Sequence, residues 1–342
     1  MKYRKMGRTG LMVSELSLGC MNFGNQTKEE EALQIVGRAR ELGINHFDTA
    51  KVYPIGQNES GISEGILGRA LKPFRSEVII TTKVEGLSRK DIMTSVDESL
   101  KQLQTDYIDI YLAHGRDTKT PIDETLRAFD DLVHSGKVRY IGCSNHHTWE
   151  IAKSLWISDK HNLARFDCIQ FRYNLISRMP EWDTIPFCTS ERVGLFVYNP
   201  LAGGLLAGGI YKSGEQQVIA YTQGAERPKI GRFVSNGYYQ RYWNDRNLEA
   251  VQHLRDIAKK YNHSPIQMAL AWLLLNKSIT SILSLVDYPD QLNQNVTASE
   301  ISLSEQEILE CNEIYESMLP SGWLSVEVGE KRFSMDPPEF AY

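Results

Sequence analysis

The stretch SEVIITTK, residues 76–83, is a run of β-branched side chains that stops abruptly at a lysine. INHFDTAKVY (residues 44–53) and TDYIDIYLAH (residues 105–114) show the same pattern, since their apolar runs also stop at polar groups. Parallel α/β folds place chemistry at such positions, because the carboxyl ends of their strands open onto loops that converge on a ligand. The polar groups at the three strand ends are Asp48, Tyr53, Lys83 and His114.

Strand-like and helix-like stretches alternate along the rest of the chain. Eight predicted strands are each separated from the next by at least one helix. Most gaps are close to the roughly 30 residues that an eightfold barrel of about 250 residues requires. The predicted strand ends lie near Cys20, Asp48, Lys83, His114, Ser144, Gln170, Asn199 and Val286. This spacing predicts an α/β fold of the (β/α)8 TIM-barrel type.

We expect residues 1–342 to form a single domain, since no linker or low-complexity tract interrupts the series. Residues 1–15 have the pattern of a β-hairpin that caps the barrel. Residues 202–244 follow the seventh strand without clear periodicity and are interpreted as a long, cofactor-covering loop over the barrel mouth. Two extra helices, around 289–298 and 304–319, precede an irregular tail at 320–342.

An open doubly wound sheet is the alternative fold. It would require a GxGxxG sequence after an early strand, and the chain has none. The one glycine cluster, AGGLLAGG at 202–209, follows the seventh strand, where barrels often bind phosphate through backbone amides. Flexible-loop glycines would give the same pattern, so the cluster alone is a weak signal.

Composition excludes several classes of protein. The chain has 38 Lys and Arg against 43 Asp and Glu, a net charge of −5, and no basic stripe that would indicate a nucleic acid partner. The N-terminus lacks the apolar core of a signal peptide and no run approaches membrane-spanning length, so we expect a cytoplasmic protein. Five scattered cysteines without a CxxC pair argue against disulfides and structural zinc, and no metal site is predicted.

Taken together, the motifs resemble the aldo-keto reductase superfamily over nearly the whole chain. The resemblance depends on GINHFDTAKVY, IITTK, YIDIYLAH, GCSN, IQFRYN, VYNPLAGGLL and DQLNQN, which occur in the family's order and spacing. The ordered set is highly specific, although each motif alone would be weak. VYNPLAGGLL, GRF and RYWNDRNLEAV are most similar to the aflatoxin-aldehyde reductases, with aryl-alcohol dehydrogenases and potassium-channel β subunits as broader relatives.

The resemblance implies that Asp48, Tyr53, Lys83 and His114 are the family's catalytic four, and their chemistry fits this. Reducing a carbonyl group with a nicotinamide hydride creates negative charge on oxygen, so a proton donor must stand beside it. Tyr53 can supply the proton, but an ordinary phenol has a pKa near ~10. The ammonium of Lys83 would favour the phenolate, Asp48 would hold the lysine charged, and His114 would orient the substrate oxygen. Singly, each residue has a commoner structural explanation as a cap, turn former, solvated lysine or core histidine.

The same resemblance implies NAD(P)(H) as cofactor. Ser144, Asn145 and Gln170 correspond to groups that bond the nicotinamide carboxamide, and Tyr198 to the aromatic ring that stacks on the nicotinamide. Structural alternatives are a helix N-cap for Ser144 and Asn145 and core packing for Tyr198. The remaining predicted cofactor residues are Met21, Asp48, Asn199, Pro200, Leu201, Gly203, Arg232, Asp287, Gln291 and Asn295.

Two departures from the family pattern affect the phosphate end of the cofactor. Relatives commonly have GKY where this chain has Gly208-Gly209-Ile210, so a phosphate-pairing lysine is missing. Relatives have a glycine and small hydroxyl residues where this chain has Leu285-Val286-Asp287. A carboxylate repels a 2′-phosphate but accepts a hydrogen bond from a 2′-hydroxyl. We hypothesise that Asp287 and Gly209 favour NAD(H); a surface aspartate without this role is an equally weighted alternative.

The substrate is expected to be a small carbonyl compound or alcohol that contacts Phe23, Tyr53, His114 and Trp243. Aromatic residues near the barrel mouth suit a planar or sugar-like carbonyl compound. A cofactor-holding regulatory subunit, as in the channel β proteins, is the alternative function. His114 argues against it, because the resemblance places asparagine there in the channel branch. Relatives include monomers and larger assemblies, so a homo-oligomer stays open.

Overall fold

The structure, a computed structural model, describes residues 1–56, 59–212, 215–220 and 236–319. Its strands are β1 (Tyr3–Lys5), β2 (Met12–Ser14), β3 (Leu16–Gly19), β4 (His46–Asp48), β5 (Ile79–Val84), β6 (Ile108–Ala113), β7 (Val138–Ser144), β8 (Phe166–Arg172), β9 (Gly194–Tyr198), β10 (Gly209–Lys212), β11 (Glu215–Ala220) and β12 (Ile279–Leu285). Its α-helices are α1 (Glu29–Glu41), α2 (Ile62–Leu71), α3 (Arg89–Leu103), α4 (Ile122–His134), α5 (Thr148–His161), α6 (Thr184–Glu191), α7 (Asn236–Tyr242), α8 (Asp245–Lys260), α9 (Pro265–Leu275), α10 (Pro289–Thr297) and α11 (Glu305–Glu316).

Eight of these strands close into a barrel in the order β12-β3-β4-β5-β6-β7-β8-β9. β12 pairs in parallel with β3 and with β9. Each strand from β3 to β7 also pairs in parallel with the next strand along the chain. Each barrel strand ends within two residues of its predicted end, and helices separate the strands along the chain. The predicted (β/α)8 TIM barrel is therefore confirmed.

The strand sequences explain why the barrel closes. All six residues of β6, IDIYLA, are buried, as expected for a parallel strand covered on both faces. Gly142 of β7 allows the closest approach between strands, because a Cβ atom there would lie 2.2 Å from the carbonyl oxygen of Cys168 on β8. All five cysteines are free and buried, as predicted.

The N-terminal hairpin, the antiparallel pair of β1 and β2, closes the amino-terminal end of the barrel. Met6 and Val13 are fully buried and pack in one cluster with Ile79, Ile110 and Phe196 from the barrel strands. The predicted hairpin is therefore present, and burial of its apolar side chains explains why it stays on the barrel.

Contacts divide the chain into two compact units. Unit 1 comprises Met1–Phe171, Trp182–Tyr198 and Ser278–Asn293, and it contains the barrel strands. Unit 2 comprises Arg172–Glu181, Asn199–Lys277 and Gln294–Tyr342. Within unit 2, α9 is almost wholly buried, and it begins at Ser264, whose hydroxyl accepts a hydrogen bond from the Gln267 amide.

The segment at 202–244 has more regular structure than its sequence predicts. It contains a short 3₁₀ turn at Ala202–Ala207, the antiparallel pair β10 and β11, and α7. Short strands and a single short helix give too few repeats for a visible period. Residues 221–235 and the predicted tail at 320–342 lie outside the described residues. Within the described ranges, no helix has both the length and the apolar character needed to cross a membrane.

Candidate active site

A buried ion pair lies at the carboxyl ends of β4 and β5. Lys83 is fully buried, and its Nζ lies 2.6 Å from Asp48 Oδ1 and 2.7 Å from the carbonyl oxygen of Thr49. Gln170 of β8 donates a hydrogen bond of 2.8 Å from Nε2 to Asp48 Oδ2. Both carboxylate oxygens are therefore engaged, one by an ammonium and one by an amide.

Burial sets the electrostatics of this pair. Loss of hydration lowers the pKa of Lys83, while the attraction of Asp48 opposes that change. Burial likewise raises the pKa of Asp48, against the opposing effects of Lys83 and Gln170. Removing either partner would leave the other charge buried without compensation.

Tyr53 and His114 meet next to this ion pair. The Tyr53 hydroxyl lies 3.4 Å from His114 Nε2, and the two rings meet edge to face with centroids 5.6 Å apart. Lys83 Nζ lies 5.2 Å from the centroid of the Tyr53 ring. The four predicted catalytic residues are thus brought together, although they lie on three different strands and loops.

His114 is neutral in this setting. Burial first, and the charge of Lys83 second, lower the pKa of His114 to about 3. Its buried Nδ1 atom has no hydrogen-bond partner among the described residues. Nε2, the nitrogen that faces the Tyr53 hydroxyl, is therefore the one that can bond an oxygen atom entering beside the phenol.

The predicted nicotinamide-binding residues form one connected hydrogen-bond group. Asn145 donates from Nδ2 to the His114 carbonyl oxygen at 3.1 Å and to Ser144 Oγ at 2.9 Å. Ser144 donates to the carbonyl oxygen of Gln170 at 3.0 Å, and the Tyr198 hydroxyl donates to Asn145 Oδ1 at 2.7 Å. These side chains join the ends of β6, β7, β8 and β9.

Asp287 follows β12 and is tied to the loop after β3. Its Oδ1 accepts hydrogen bonds from Asn22 Nδ2 at 2.5 Å and from Thr27 Oγ1 at 3.4 Å. Gln291 Oε1 accepts from the Asp287 amide at 2.8 Å. Sequence reasoning places Asn22 near the substrate pocket but does not pair Asn22 or Thr27 with Asp287, because that partner lies more than 250 positions away in the chain.

Several other predicted cofactor residues lie in unit 2. Asn199 accepts a hydrogen bond of 2.8 Å from Asn174 Nδ2, and Pro200 is buried. Ala202, Gly203 and Gly204 have consecutive positive φ angles of 51°, 71° and 97°. A Cβ atom on Gly203 would lie 2.6 Å from the Tyr238 ring, so glycine is required there. The others in this unit are Leu201, which is half-buried, and Asn295, which is buried.

The predicted substrate residues differ in their surroundings. Phe23 is fully buried, while the neighbouring Met21 is partly exposed. Trp243 belongs to unit 2, is half-buried, and stacks on Tyr239 with centroids 6.3 Å apart. Arg232 lies outside the described residues. No group of three or more His, Cys, Asp or Glu residues that could hold a metal occurs in the described part of the chain.

Comparison with the sequences of known proteins shows the family of this chain. The aldo/keto reductase family model matches residues 15–316. An uncharacterised oxidoreductase of Bacillus subtilis (strain 168) is 34% identical over 92% of this chain and 96% of its own length. A probable voltage-gated potassium channel subunit beta of Arabidopsis thaliana is 32% identical, over 88% of this chain and 92% of its own. Versiconal hemiacetal acetate reductase of Aspergillus parasiticus is 30% identical, over 92% and 97%. The chain therefore belongs to the aldo/keto reductase family.

Proposed function

We propose that this oxidoreductase interconverts an aldehyde or ketone, sugar and aryl carbonyl compounds included, and the corresponding alcohol with NAD(P)(H). The observation that carries the proposal is the meeting of Tyr53 and His114 beside the fully buried ion pair of Lys83 and Asp48. A phenol, an ammonium and a neutral imidazole together meet the needs of an oxygen atom that gains charge and then a proton.

Each residue has a separate task in the reduction. A bound nicotinamide cofactor supplies the hydride to the carbonyl carbon. Tyr53 gives its hydroxyl proton to the carbonyl oxygen, and the Lys83 ammonium stabilises the phenolate that remains. Asp48 holds Lys83 in place through the 2.6 Å ion pair. The neutral imidazole of His114 donates a hydrogen bond to the carbonyl oxygen and orients it.

The residues present fit the cofactor. Ser144, Asn145 and Gln170 offer hydroxyl and amide groups, the donors and acceptors that a carboxamide needs, and Tyr198 offers a flat ring beside them. Within unit 2, the turn at 202–204 is held by its own backbone, because the Ala202 amide donates to the Asn199 carbonyl oxygen at 3.0 Å and the Gly204 amide donates to that of Leu201 at 2.9 Å. Glycine is needed at 203 because a side chain there would meet the Tyr238 ring.

Tyr53→Phe tests the proposal, because it keeps the ring and removes the transferable proton. We expect carbonyl reduction to fall by about 10²–10⁴-fold while the Kd for the cofactor stays unchanged. Tyr107→Phe is the matched control, since its hydroxyl donates a hydrogen bond of 3.3 Å to the Arg75 carbonyl oxygen and the phenylalanine ring can still stack on Arg75 and Arg139. Reduction of an aldehyde panel by Tyr53→Phe at the wild-type rate would overturn the role of Tyr53.

We further propose that Asp287 makes the enzyme accept NAD(H). Its Oδ1 accepts from Asn22 and Thr27, while Oδ2 accepts from no side chain in the described part of the chain and can take a bond from a 2′-hydroxyl. We expect Asp287→Asn to shift the ratio of kcat/KM values toward NADPH by about tenfold, or ~1.4 kcal/mol, and Asp290→Asn, an exposed control, to leave it unchanged. A wild-type preference for NADPH greater than about tenfold would contradict this.

Similarity to the proteins named potassium channel β subunits supports a second candidate, a regulatory subunit that holds cofactor without turnover. Single-turnover measurements separate the two functions. Oxidation of bound NADH or NADPH by an added aldehyde supports the enzyme. Tight cofactor binding without oxidation, across aldehydes, ketones and sugars, supports the regulatory subunit.

A further inference from the structure

The first turn of α2 contains a fully buried serine that joins three segments of the active site. The Ser63 hydroxyl donates a hydrogen bond of 2.7 Å to the Cys20 carbonyl oxygen, just after β3. The same oxygen lies 2.9 Å from Thr49 Oγ1, just after β4. The Ser63 amide donates to the carbonyl oxygen of Tyr53 at 3.1 Å. One residue therefore links the ends of two barrel strands to the backbone of Tyr53.

The next residue fixes the same turn to the strand that carries Lys83. Glu64 is fully buried, and its Oε1 accepts a hydrogen bond of 2.6 Å from Thr82 Oγ1 on β5. Thr82 directly precedes Lys83 in the chain. The first turn of α2 is thus bonded to the segment of Tyr53 on one side and to the strand of Lys83 on the other.

This anchoring fixes the backbone from which the Tyr53 ring extends. The Tyr53 amide donates to the Ala50 carbonyl oxygen at 3.0 Å, and the Tyr53 carbonyl oxygen accepts from the Ser63 amide at 3.1 Å. The Tyr53 hydroxyl lies 3.4 Å from His114 Nε2, so a small shift of this backbone would change that contact. Small displacements of a proton donor lower the rate steeply, because proton transfer needs aligned groups at hydrogen-bond distance.

We propose that Ser63 is a positioning residue, which sets Tyr53 against Lys83 and His114 through the first turn of α2. This inference rests on the proposed function, in which Tyr53 is the proton donor. Ser63 itself contacts neither substrate nor cofactor in this account. Its hydroxyl holds α2 to the strand ends, and the turn of α2 then holds the backbone of Tyr53.

Ser63→Ala removes the hydroxyl and both of its hydrogen bonds while it keeps the backbone bond to Tyr53. We expect kcat for reduction of 4-nitrobenzaldehyde to fall at least about tenfold, with the cofactor Kd changed less than about twofold. The primary isotope effect, measured with cofactor deuterated at the transferred position, should rise as the chemical step becomes slower. A smaller folded fraction alone would leave the isotope effect unchanged.

Ser154→Ala is the matched control, because Ser154 is also fully buried in a helix and donates a hydrogen bond of 2.8 Å, to the Glu150 carbonyl oxygen on α5. We expect it to lower stability comparably and to leave kcat and the isotope effect at wild-type values. Thr49→Val removes the Thr49 hydroxyl alone and should lower kcat in the same direction but less. It keeps the inference testable where Ser63→Ala does not fold.

The outcomes separate this inference from the proposed function. If Tyr53→Phe retains wild-type turnover, the proposed role of Tyr53 as proton donor is wrong; if the wild type oxidises bound NADH and NADPH with no aldehyde, ketone or sugar, the proposed function is wrong. If Tyr53→Phe loses turnover while Ser63→Ala and Thr49→Val keep wild-type kcat and isotope effect, the proposed function stands and the positioning role of Ser63 is wrong. A rise in KM with unchanged kcat in Ser63→Ala would also overturn the positioning role.

Discussion

His46 is a fully buried histidine of β4 and His114 a half-buried histidine just after β6, and loss of hydration lowers the pKa of each to about 3. Their hydrogen bonding differs. Both nitrogens of His46 are bonded, Nδ1 to Ser17 Oγ and Nε2 to Thr81 Oγ1, each at 2.7 Å. His114 has one long contact to Tyr53 and a buried Nδ1 without a partner among the described residues.

The network of His46 is closed. The Ser281 hydroxyl donates to the Ser14 carbonyl oxygen at 2.6 Å, so Ser17 must donate its proton to Ser281. Ser17 then accepts from His46 Nδ1–H, and His46 Nε2 accepts from Thr81. Every donor has an acceptor, as expected of a structural network. A shifted pKa therefore does not distinguish the two histidines, whereas unused hydrogen-bonding capacity next to an ion pair does.

The positive charge of Lys83 acts on both histidines, since it contributes to the lowered pKa of each. Replacing it with methionine should therefore give the largest effect. We expect Lys83→Met to reduce turnover by about 10²–10⁴-fold, because the phenolate loses its stabilising ammonium. It should also cost about 3–5 kcal/mol of unfolding free energy, because Asp48 stays buried with the Gln170 amide and without an opposite charge.

Steady-state kinetics and urea unfolding measure the two effects of Lys83→Met. Lys137→Met is the control, since Lys137 pairs with Asp97 at 2.6 Å but both side chains are partly exposed. An exposed pair contributes only about 0–1 kcal/mol. If Lys83→Met retained more than about a tenth of wild-type kcat, the buried pair would be structural, like the His46 network.

The second prediction exchanges the two histidines for glutamine, which keeps hydrogen-bonding groups. His114→Gln should lower kcat about hundredfold and change stability little, because no described partner is lost at Nδ1. His46→Gln should cost about 1–3 kcal/mol and leave kcat near wild type, because it leaves buried hydroxyls unsatisfied. Equal losses of kcat in both variants would remove the distinction between them.

The barrel, and the clustering of the candidate site residues at its strand ends, could be predicted from sequence for a physical reason. Strands buried on both faces require continuous apolar runs, so the strand ends and the polar groups at 48, 83 and 114 are visible in the sequence. The network of His46 could not be predicted. Its partners Ser17, Thr81 and Ser281 lie on three other strands, and a serine inside an apolar run has the same appearance whether it is bonded or not.

Ser63 shows the same limit at the site itself. SEGILGRAL predicts a helix, but the bonds of Ser63 to Cys20 and Thr49 arise only when the barrel brings β3 and β4 side by side. Asp287 stands out in the sequence because relatives have small hydroxyl residues there, and its role toward the cofactor stays a prediction. Its hydrogen bonds to Asn22 and Thr27 could not be predicted, because loop amides and hydroxyls are common.

The last prediction concerns the response of stability to acid. A histidine whose folded pKa is about 3 and whose unfolded pKa is ~6.5 binds a proton more readily in the unfolded chain. Its contribution to stability is therefore complete above pH ~6.5 and is lost as the pH falls toward 3. The slope is at most about 1.4 kcal/mol per pH unit for each such histidine.

The unfolding free energy of His46→Gln, measured by urea titration between pH 7 and pH 4, should therefore depend less on pH than that of the wild type. Glutamine takes up no proton, so the variant loses the contribution of one buried histidine. Asp48 acts with the opposite sign, because burial raises its pKa, but it is present in both proteins and cancels in the difference.

His114→Gln should reduce the slope in the same way, since burial lowers the pKa of both histidines to about 3. Equal reductions of the pH slope, with unequal effects on kcat, would show that burial lowers both pKa values alike and that the two histidines differ in their hydrogen-bond partners. Parallel curves for the wild type and His46→Gln would mean that His46 is protonated in the folded barrel. That result would contradict the closed network, in which His46 Nε2 accepts a hydrogen bond from Thr81.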